Sequence, residues 1–317
     1  MNILFFYPYG NYVKLESENT EPYEFYRHLK KMDNIKLVNS YEEADYVIYM
    51  MHWRNCVNLP YDSQERKDNF NIQLINKMIE CKNPEKDIII DYNDWTDTRN
   101  VPYDKLDLVG KYFKRSMVKK EQGISKEIIE YSREIIPISY GIRSDFIEYD
   151  KNFEFVKYNY DICCMFNGGG GFRSIIPNII NKYQGEKFVG FVTDCQNRYG
   201  VVNTKYFEIL KTSKIIVTAN PPNWEGDFRL WEALLMGNLV LCDKMLLPSI
   251  IKYPLENKKH LVYYSNPQEL VYLINYYINN ETERNKIAKE GREYCLKYHK
   301  FSDRVLEVIE VISNIKI

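Results

Sequence analysis

The feature that most constrains the fold is the alternation of short apolar runs with helix-length amphipathic stretches. The apolar runs are rich in Ile, Val, Phe and Tyr, which favour β-strands. Because strands that alternate with helices are typical of βαβ units, the pattern predicts parallel sheets covered by helices. The predicted strands are residues 2–9, 44–51, 87–92, 108–115, 135–140, 160–166, 187–193, 214–219, 238–243 and 260–265. Predicted helices in the first half are residues 21–32 and 69–81, and residues after 265 are expected to be helical throughout.

The length of the chain predicts more than one domain. Its 317 residues exceed what one hydrophobic core usually organises. The polar stretch at residues 143–159 separates the two sets of strands and is the best linker candidate. We therefore expect an α/β protein with two Rossmann-like, doubly wound domains facing across a cleft. In such sheets, ligands bind beyond the carboxyl ends of the strands.

Charge and cysteine usage narrow the functional classes. The net charge is −1 and no basic run occurs, which argues against a nucleic-acid partner. The seven cysteines form no CxxC pair and the four histidines lack zinc-ligand spacing, so no structural metal is expected. No apolar stretch approaches the roughly 20 residues that cross a bilayer. The sequence predicts a cytoplasmic protein without a membrane span.

The stretch "NWEGDFRLWEALLMGNLVLCD" contains charged residues inside a mostly apolar helix. Asp227 is a good N-cap, residues 228–236 form the helix, and Gly237 is placed to end it in a left-handed conformation. Because most of the helix is apolar, it should be largely buried.

Arg229 and Glu232 lie three residues apart on one face, near the positive end of this helix. One interpretation is a structural ion pair. Against it, Arg before Glu is the less stabilising order on a helix. The functional interpretation assigns the guanidinium to a diphosphate and the carboxylate to vicinal ribose hydroxyls.

A second candidate site is the glycine-rich stretch "FNGGGGFRS". Consecutive glycines after a strand and before a helix let backbone amides approach a ligand, and the helix offers its positive end to phosphate. The stretch matches neither GxGxxG nor a Walker A loop, and a flexible surface loop is the alternative. The candidate ligand-binding residues here are Gly168, Gly169, Gly170, Gly171 and Arg173.

The first half contains candidate catalytic residues at strand ends. In "DYNDWTDTRN", Asp91, Asp94 and Asp97 fall at the carboxyl end of a predicted strand, and a carboxylate there could act as a general base on an acceptor hydroxyl. His52 follows another predicted strand and is a rival base. The alternatives are loop capping by the aspartates and a buried structural histidine.

The second half of the chain resembles a known family. "EGDFRLWEALLMGNLVLCDK" and the stretch that begins "HLVYYSNPQEL" are similar to the C-terminal region of GT-B glycosyltransferases, in the group-1 branch that includes the CgeB-like proteins. The similarity covers the last third of the chain best and residues 161–173 in part.

The resemblance implies roles for individual residues. The family's ribose-binding glutamate matches Glu232, and its diphosphate-binding basic residue matches Arg229. The glycine-rich stretch and Arg173 would lie close to the diphosphate. An earlier glutamate of the family contacts the donor sugar; Glu225 lies one residue closer to Glu232 than that glutamate does, and Asp227 is the alternative.

The resemblance therefore implies a glycosyltransferase that moves a sugar from a UDP- or GDP-linked donor to a hydroxyl of a glycan, lipid-linked or protein acceptor, without a separate cofactor. Residues 1–150 would form the acceptor-side domain, residues 151–300 the donor-binding domain, and residues 301–317 a terminal helix packing back on the first. The sequence has no Asp-x-Asp triplet, which indicates metal-independent chemistry. A nucleotide-sugar epimerase, a pyruvyl-type transferase and a non-catalytic glycan- or protein-binding module remain alternatives.

Overall fold

The chain contains two compact units. One comprises Met1–Ser139 with Arg304–Ile317, and the other comprises Tyr140–Asp303. The structure, a computed structural model, describes residues 1–6, 21–51, 83–92, 110–115, 135–154, 157–165, 171–190, 192, 202–220, 228–244 and 251–313. Among the helices of these residues, none is both long and apolar enough to cross a bilayer.

The first unit is built on a parallel sheet. The apolar run at its centre, Ile88–Ile90, has no exposed surface, as expected for a strand that helices cover on both faces. The described strands are ordered β2-β1-β3-β4-β5-β6, and every pair is parallel. The described elements are β1 (Asn2–Phe6), α1 (Glu21–Lys30), β2 (Lys36–Leu37), β3 (Tyr46–Met51), β4 (Asp87–Asp91), β5 (Lys111–Lys114) and β6 (Ile135–Pro137).

The second unit has its own parallel sheet. Its described elements are α2 (Ser144–Asn152), β7 (Tyr160–Cys164), α3 (Ile176–Asn181), β8 (Lys187–Val189), α4 (Thr204–Lys211), β9 (Ser213–Thr218), α5 (Phe228–Met236), β10 (Leu239–Asp243), β11 (Val262–Tyr264), α6 (Pro267–Asn279) and α7 (Glu281–Tyr298). A further helix, α8 (Phe301–Ser313), only begins in this unit. The strand order is β11-β10-β9-β7-β8, and every pair is parallel. β8 therefore lies on one side of β7 and β9 on the other, so the direction in which successive strands are added reverses at β7. This reversal creates a topological switch point between β7 and β9.

The predicted α/β class with two doubly wound sheets is confirmed. Each predicted strand is present, although most end earlier than the apolar run that signalled them. β2 was not predicted because two residues carry no readable alternation. The predicted helix at residues 69–81 lies outside the described residues.

The predicted linker at residues 143–159 is wrong, because α2 occupies much of it. Phe146 of α2 is buried and its ring centroid lies 4.7 Å from that of Phe207. Asp150 of α2 is buried and forms ion pairs with Lys211 and Arg292. These contacts attach α2 to the second unit, so the contacts divide the chain after Ser139 and not at the predicted residue 150.

The last helix, α8, begins in the second unit and continues into the first from Arg304 onward. Arg304 is buried; its Nη1 donates to Ser139 Oγ at 2.8 Å, and its Nη2 lies 3.2 Å from Glu307 Oε1. This buried, paired guanidinium ties the end of the chain to the end of the first sheet, where Ser139 follows β6.

Candidate functional site

Helix α5 presents two charged side chains on an otherwise buried element. Phe228–Met236 forms the helix, as the sequence predicts, and its buried residues are Leu230, Trp231 and Ala233–Met236. Gly237 has φ of 79° and donates its N–H to the Leu234 carbonyl at 3.1 Å, so the predicted left-handed C-cap is confirmed. The other two candidates of this stretch, Glu225 and Asp227, lie outside the described residues.

Arg229 and Glu232 are half-buried and are held by different elements. Arg229 Nη1 donates to the carbonyl of Met165, which follows β7, at 3.2 Å. Glu232 Oε2 accepts a hydrogen bond from the Tyr206 hydroxyl on α4 at 2.6 Å. The guanidinium is therefore tied to the end of a central strand and the carboxylate to a neighbouring helix.

A second guanidinium approaches the same strand ends. Arg173 lies in the 3₁₀ helix Gly171–Ser174, and its Nε donates to the Ala219 carbonyl at 2.8 Å. Ala219 directly follows β9, just as Met165 directly follows β7. The two arginines thus bind the ends of the two strands that flank the topological switch point, where open α/β sheets bind ligands.

The glycine-rich stretch is described only at its end. Gly171 is exposed with φ of 66°, and an added Cβ would meet nothing within 4 Å, so the glycine suits the backbone conformation and not a tight space. Gly168, Gly169 and Gly170 lie outside the described residues. The expectation that a helix N-terminus directly follows the glycines is wrong, because a 3₁₀ helix precedes α3 and α3 has six residues. Of the candidate residues in this stretch, the structure describes Gly171 and Arg173.

Polar contacts fix the backbone around Ala219, whose carbonyl accepts the hydrogen bond from Arg173. The backbone N–H and the Nδ2 of Asn220 both donate to Asp243 Oδ1, at 2.8 and 3.0 Å, which ties the end of β9 to the end of β10. The Tyr264 hydroxyl donates to the Thr218 carbonyl at 2.7 Å. The carbonyl of Ala219 therefore lies between two anchored residues.

The thiol of Cys164, at the end of β7, is buried beside Arg229. Burial raises the pKa of this thiol to about 12, and the Arg229 guanidinium acts in the opposite direction. At neutral pH the thiol is protonated, whereas the thiolate is the reactive form. Burial likewise raises the pKa of the nearby Tyr264 phenol, which Arg173 partly opposes.

The sequence interpretation missed Tyr206, which contacts Glu232. Asn203 caps α4, since its Oδ1 accepts the backbone N–H of Tyr206 at 2.9 Å. Asn as an N-cap ahead of an apolar helix is a readable signal, and it would have placed Tyr206 in the first turn. Nothing in the sequence distinguished this tyrosine among the 28 in the chain.

The candidate catalytic residues of the first unit, His52, Asp94 and Asp97, lie outside the described residues. Asp91, which precedes them, is fully buried. Its Oδ2 accepts the Tyr112 hydroxyl at 2.5 Å and lies 3.5 Å from Lys114 Nζ. Asp91 therefore stabilises the strand ends of the first sheet. Among the residues with described positions, no three His, Cys, Asp or Glu side chains form a group that could hold a metal ion.

Several proteins of known structure share this architecture. Residues 179–310 match the family model described as glycosyl transferase-like, and this range includes β9 and α5 but begins after β7 and Arg173. Anabaena HepE in complex with UDP and glucose covers 99% of this chain and 100% of its own, with 12% identity and a TM-score of 0.54. An α-glucosyltransferase in complex with UDP and DNA containing an HMU base covers 99% of each chain, with 10% identity and a TM-score of 0.64. The chain has the GT-B fold.

Other comparisons agree with this GT-B assignment. Sucrose-phosphate synthase from Thermosynechococcus elongatus covers 99% of this chain and 98% of its own, with 9% identity and a TM-score of 0.53. No curated protein sequence matches significantly. The resemblance to GT-B glycosyltransferases is confirmed, whereas the CgeB-like branch stays a prediction. The expectation of no nucleic-acid partner gains no support, because one GT-B neighbour was solved with DNA.

Proposed function

We propose that the protein is a glycosyltransferase that uses a nucleotide-diphosphate sugar as its donor. The observation that carries the proposal is the group of Arg173, Arg229 and Glu232 at the switch point of the second sheet. Two guanidiniums suit the two phosphates of a diphosphate, and a carboxylate suits a vicinal diol. HepE and the α-glucosyltransferase, which share the fold, were solved with UDP.

The arginines would act on the leaving group. When the bond from the sugar to the diphosphate breaks, the departing oxygen gains negative charge. Arg173 and Arg229 are already tethered to carbonyls of adjacent strand ends, so little reorganisation is needed to stabilise that charge. Preorganised cations of this kind lower the barrier because they interact more strongly with the transition state than with the bound donor.

The carboxylate of Glu232 would bind the ribose. Glu232 lies one helical turn after Arg229 on α5, so a diphosphate at Arg229 would place an attached nucleoside within reach of the carboxylate. A carboxylate accepts hydrogen bonds from both ribose hydroxyls at once. Because this contact is made to the ribose, it does not distinguish one nucleobase from another. The donor is therefore proposed to be UDP- or GDP-linked.

A screen of nucleotide sugars tests the proposal. UDP- and GDP-sugars are mixed with the protein, and thermal shift, hydrolysis and product identity are measured. A bound donor raises the melting temperature by mass action, and slow release of free sugar indicates a bound, activated donor. Transfer to an added acceptor supports the proposal. Conversion of the sugar without transfer would identify an epimerase, and absence of any shift or turnover would favour a non-catalytic module.

Replacing Glu232 with alanine is expected to weaken donor binding at least about tenfold. Hydrogen bonds to a charged group contribute roughly 1.5 to 3 kcal/mol, which corresponds to about ten- to a hundredfold in affinity. Isothermal titration with the donor from the screen measures the change. Glu208→Ala on the exposed side of α4 is the matched control, because it removes a carboxylate outside the site. Equal donor affinity in Glu232→Ala and wild type would rule out the ribose role.

We also propose that transfer is independent of divalent metal. The leaving-group charge is assigned to Arg173 and Arg229, so a chelator removes nothing that the mechanism uses. The initial rate with excess EDTA is expected to equal the untreated rate. A rate abolished by EDTA and restored by Mn²⁺ would contradict the proposal.

The acceptor is proposed to be a hydroxyl of a glycan, a lipid-linked glycan or a protein, and DNA belongs in the same acceptor panel because of the α-glucosyltransferase neighbour. A cytoplasmic location is proposed from the cysteines. Cys163, Cys164, Cys242 and Cys295 are buried free thiols in the described part of the chain, which is typical of a reducing compartment.

A further inference from the structure

Tyr206 connects two helices at the proposed donor site. Its hydroxyl donates to Glu232 Oε2 at 2.6 Å, a short hydrogen bond to a carboxylate. The two residues are 26 positions apart in sequence, Tyr206 in the first turn of α4 and Glu232 in α5. Because α4 ends at the start of the parallel strand β9, its first turn lies toward the carboxyl edge of the sheet, the edge at which the two arginines bind.

Contacts within the second unit hold Tyr206 in place. Its backbone N–H is bonded to the Asn203 cap at 2.9 Å. Its ring packs edge-on against Phe207, with centroids 5.1 Å apart and planes at 88°. Phe207 is buried and packs on Phe146 of α2 with centroids 4.7 Å apart. The phenol therefore extends from the core of the unit to the carboxylate.

We propose that Tyr206 is a positioning residue that holds the Glu232 carboxylate for the ribose of the donor and sets a preference for ribonucleotides over 2′-deoxyribonucleotides. This inference rests on the proposed function. A glutamate has several rotatable bonds, and ordering them on binding costs conformational entropy. The phenol occupies one lone pair of the carboxylate and restrains the group before the nucleotide arrives, while the remaining lone pairs accept the ribose hydroxyls.

A restrained Glu232 carboxylate is expected to discriminate between ribonucleotides and 2′-deoxyribonucleotides, and not only to bind both more tightly. A 2′-deoxy nucleotide lacks one donor for the carboxylate, and a restrained carboxylate cannot move to recover that hydrogen bond. Without the phenol, the carboxylate loses one of its restraints and can adjust more freely to the missing hydroxyl, so the two nucleotides should bind with more similar affinities. Loss of the phenol is therefore expected to reduce the preference for ribose, and not only the overall affinity.

The test measures a ratio of affinities by titration calorimetry. Wild type, Tyr206→Phe and Glu232→Gln are titrated with UDP and 2′-deoxy-UDP, or with GDP and 2′-deoxy-GDP if the donor screen selects guanine. Wild type should prefer the ribonucleotide by about tenfold or more, and both variants should reduce this preference to about threefold or less. The double variant, Tyr206→Phe with Glu232→Gln, should differ little from Glu232→Gln alone, since the two changes disrupt the same hydrogen-bonded pair.

Tyr149→Phe is the matched control. The Tyr149 hydroxyl also contacts the start of α4, donating to the Thr204 carbonyl at 3.4 Å. Its removal deletes a phenolic hydroxyl beside the same helix without touching Glu232, and the ribose preference should stay at the wild-type value.

The outcomes separate this inference from the proposed function. Loss of preference in Glu232→Gln with full preference in Tyr206→Phe would overturn the role of Tyr206 and leave the proposed function standing. An equal loss of affinity for both nucleotides in Tyr206→Phe would assign the tyrosine a structural role only, and would also overturn the inference. If wild type binds neither UDP nor GDP, the proposed function fails, and this inference fails with it.

Discussion

Replacing Arg229 with alanine is expected to reduce turnover by about 100-fold or more, because the variant loses a preorganised cation where the diphosphate gains charge. Arg229 lies at the first turn of α5 and is tethered to the Met165 carbonyl at 3.2 Å. Removing one such donor from an active site typically costs on the order of 100- to 1,000-fold in turnover. Steady-state transfer rates with the donor from the screen measure the change.

Two further variants test the reason for this effect. Arg229→Lys keeps the charge but loses the forked geometry, so it should recover only part of the rate. Arg292→Ala serves as a control, because Arg292 pairs with buried Asp150 and donates to the Leu235 carbonyl at the far end of α5. Arg292→Ala should lower the melting temperature and leave the turnover of the folded protein largely intact. Full turnover in folded Arg229→Ala would contradict the proposed leaving-group role.

The first unit is expected to supply the group that serves the acceptor. One of His52, Asp94 and Asp97 is predicted to accept the proton of the acceptor hydroxyl, because each follows a predicted strand at its carboxyl end. If transfer inverts the configuration of the sugar, removing this base should lower turnover by about 100-fold or more. His52→Ala, Asp94→Asn and Asp97→Asn are assayed for transfer, for donor affinity and for the anomer of the product.

Donor affinity is the internal control in that experiment. An unchanged donor Kd shows that the second unit is intact, and a lowered rate is then specific to the acceptor step. If transfer retains configuration, no such base is required, and the residues would change the KM for the acceptor instead. Normal rates and acceptor KM values in all three variants would show that the acceptor binds elsewhere.

Local sequence patterns were sufficient to predict much of the fold. Helix α5 was predictable to its ends, because its apolar face repeats at helical spacing and Gly237 supplies the left-handed residue that ends it. The parallel sheets followed from the alternation of strands and helices, which is a property of neighbouring residues. The polar stretch at residues 143–159 misled the prediction, because the partners that bury Phe146 and Asp150 come from residues far along the chain.

The site was only partly predictable. Arg229, Glu232 and Arg173 were selected from their residue types and their places near glycines and a helix start, and also from the family resemblance. The sequence did not show that Arg229 and Arg173 would bind the carbonyls of Met165 and Ala219. It also did not show that Tyr206 would bind Glu232.

The sequence by itself determined the order of strands and helices, the class of the fold and the charged residues of α5, because periodicity, capping and glycine placement act over a few residues. Only the tertiary structure decided the strand order, with β7 beside β9, and the meeting of α4 with α5. These arrangements depend on which apolar faces pack together, and that choice is made over the whole unit at once. The same packing brings a tyrosine and a glutamate 26 residues apart to 2.6 Å, a contact that no local pattern encodes.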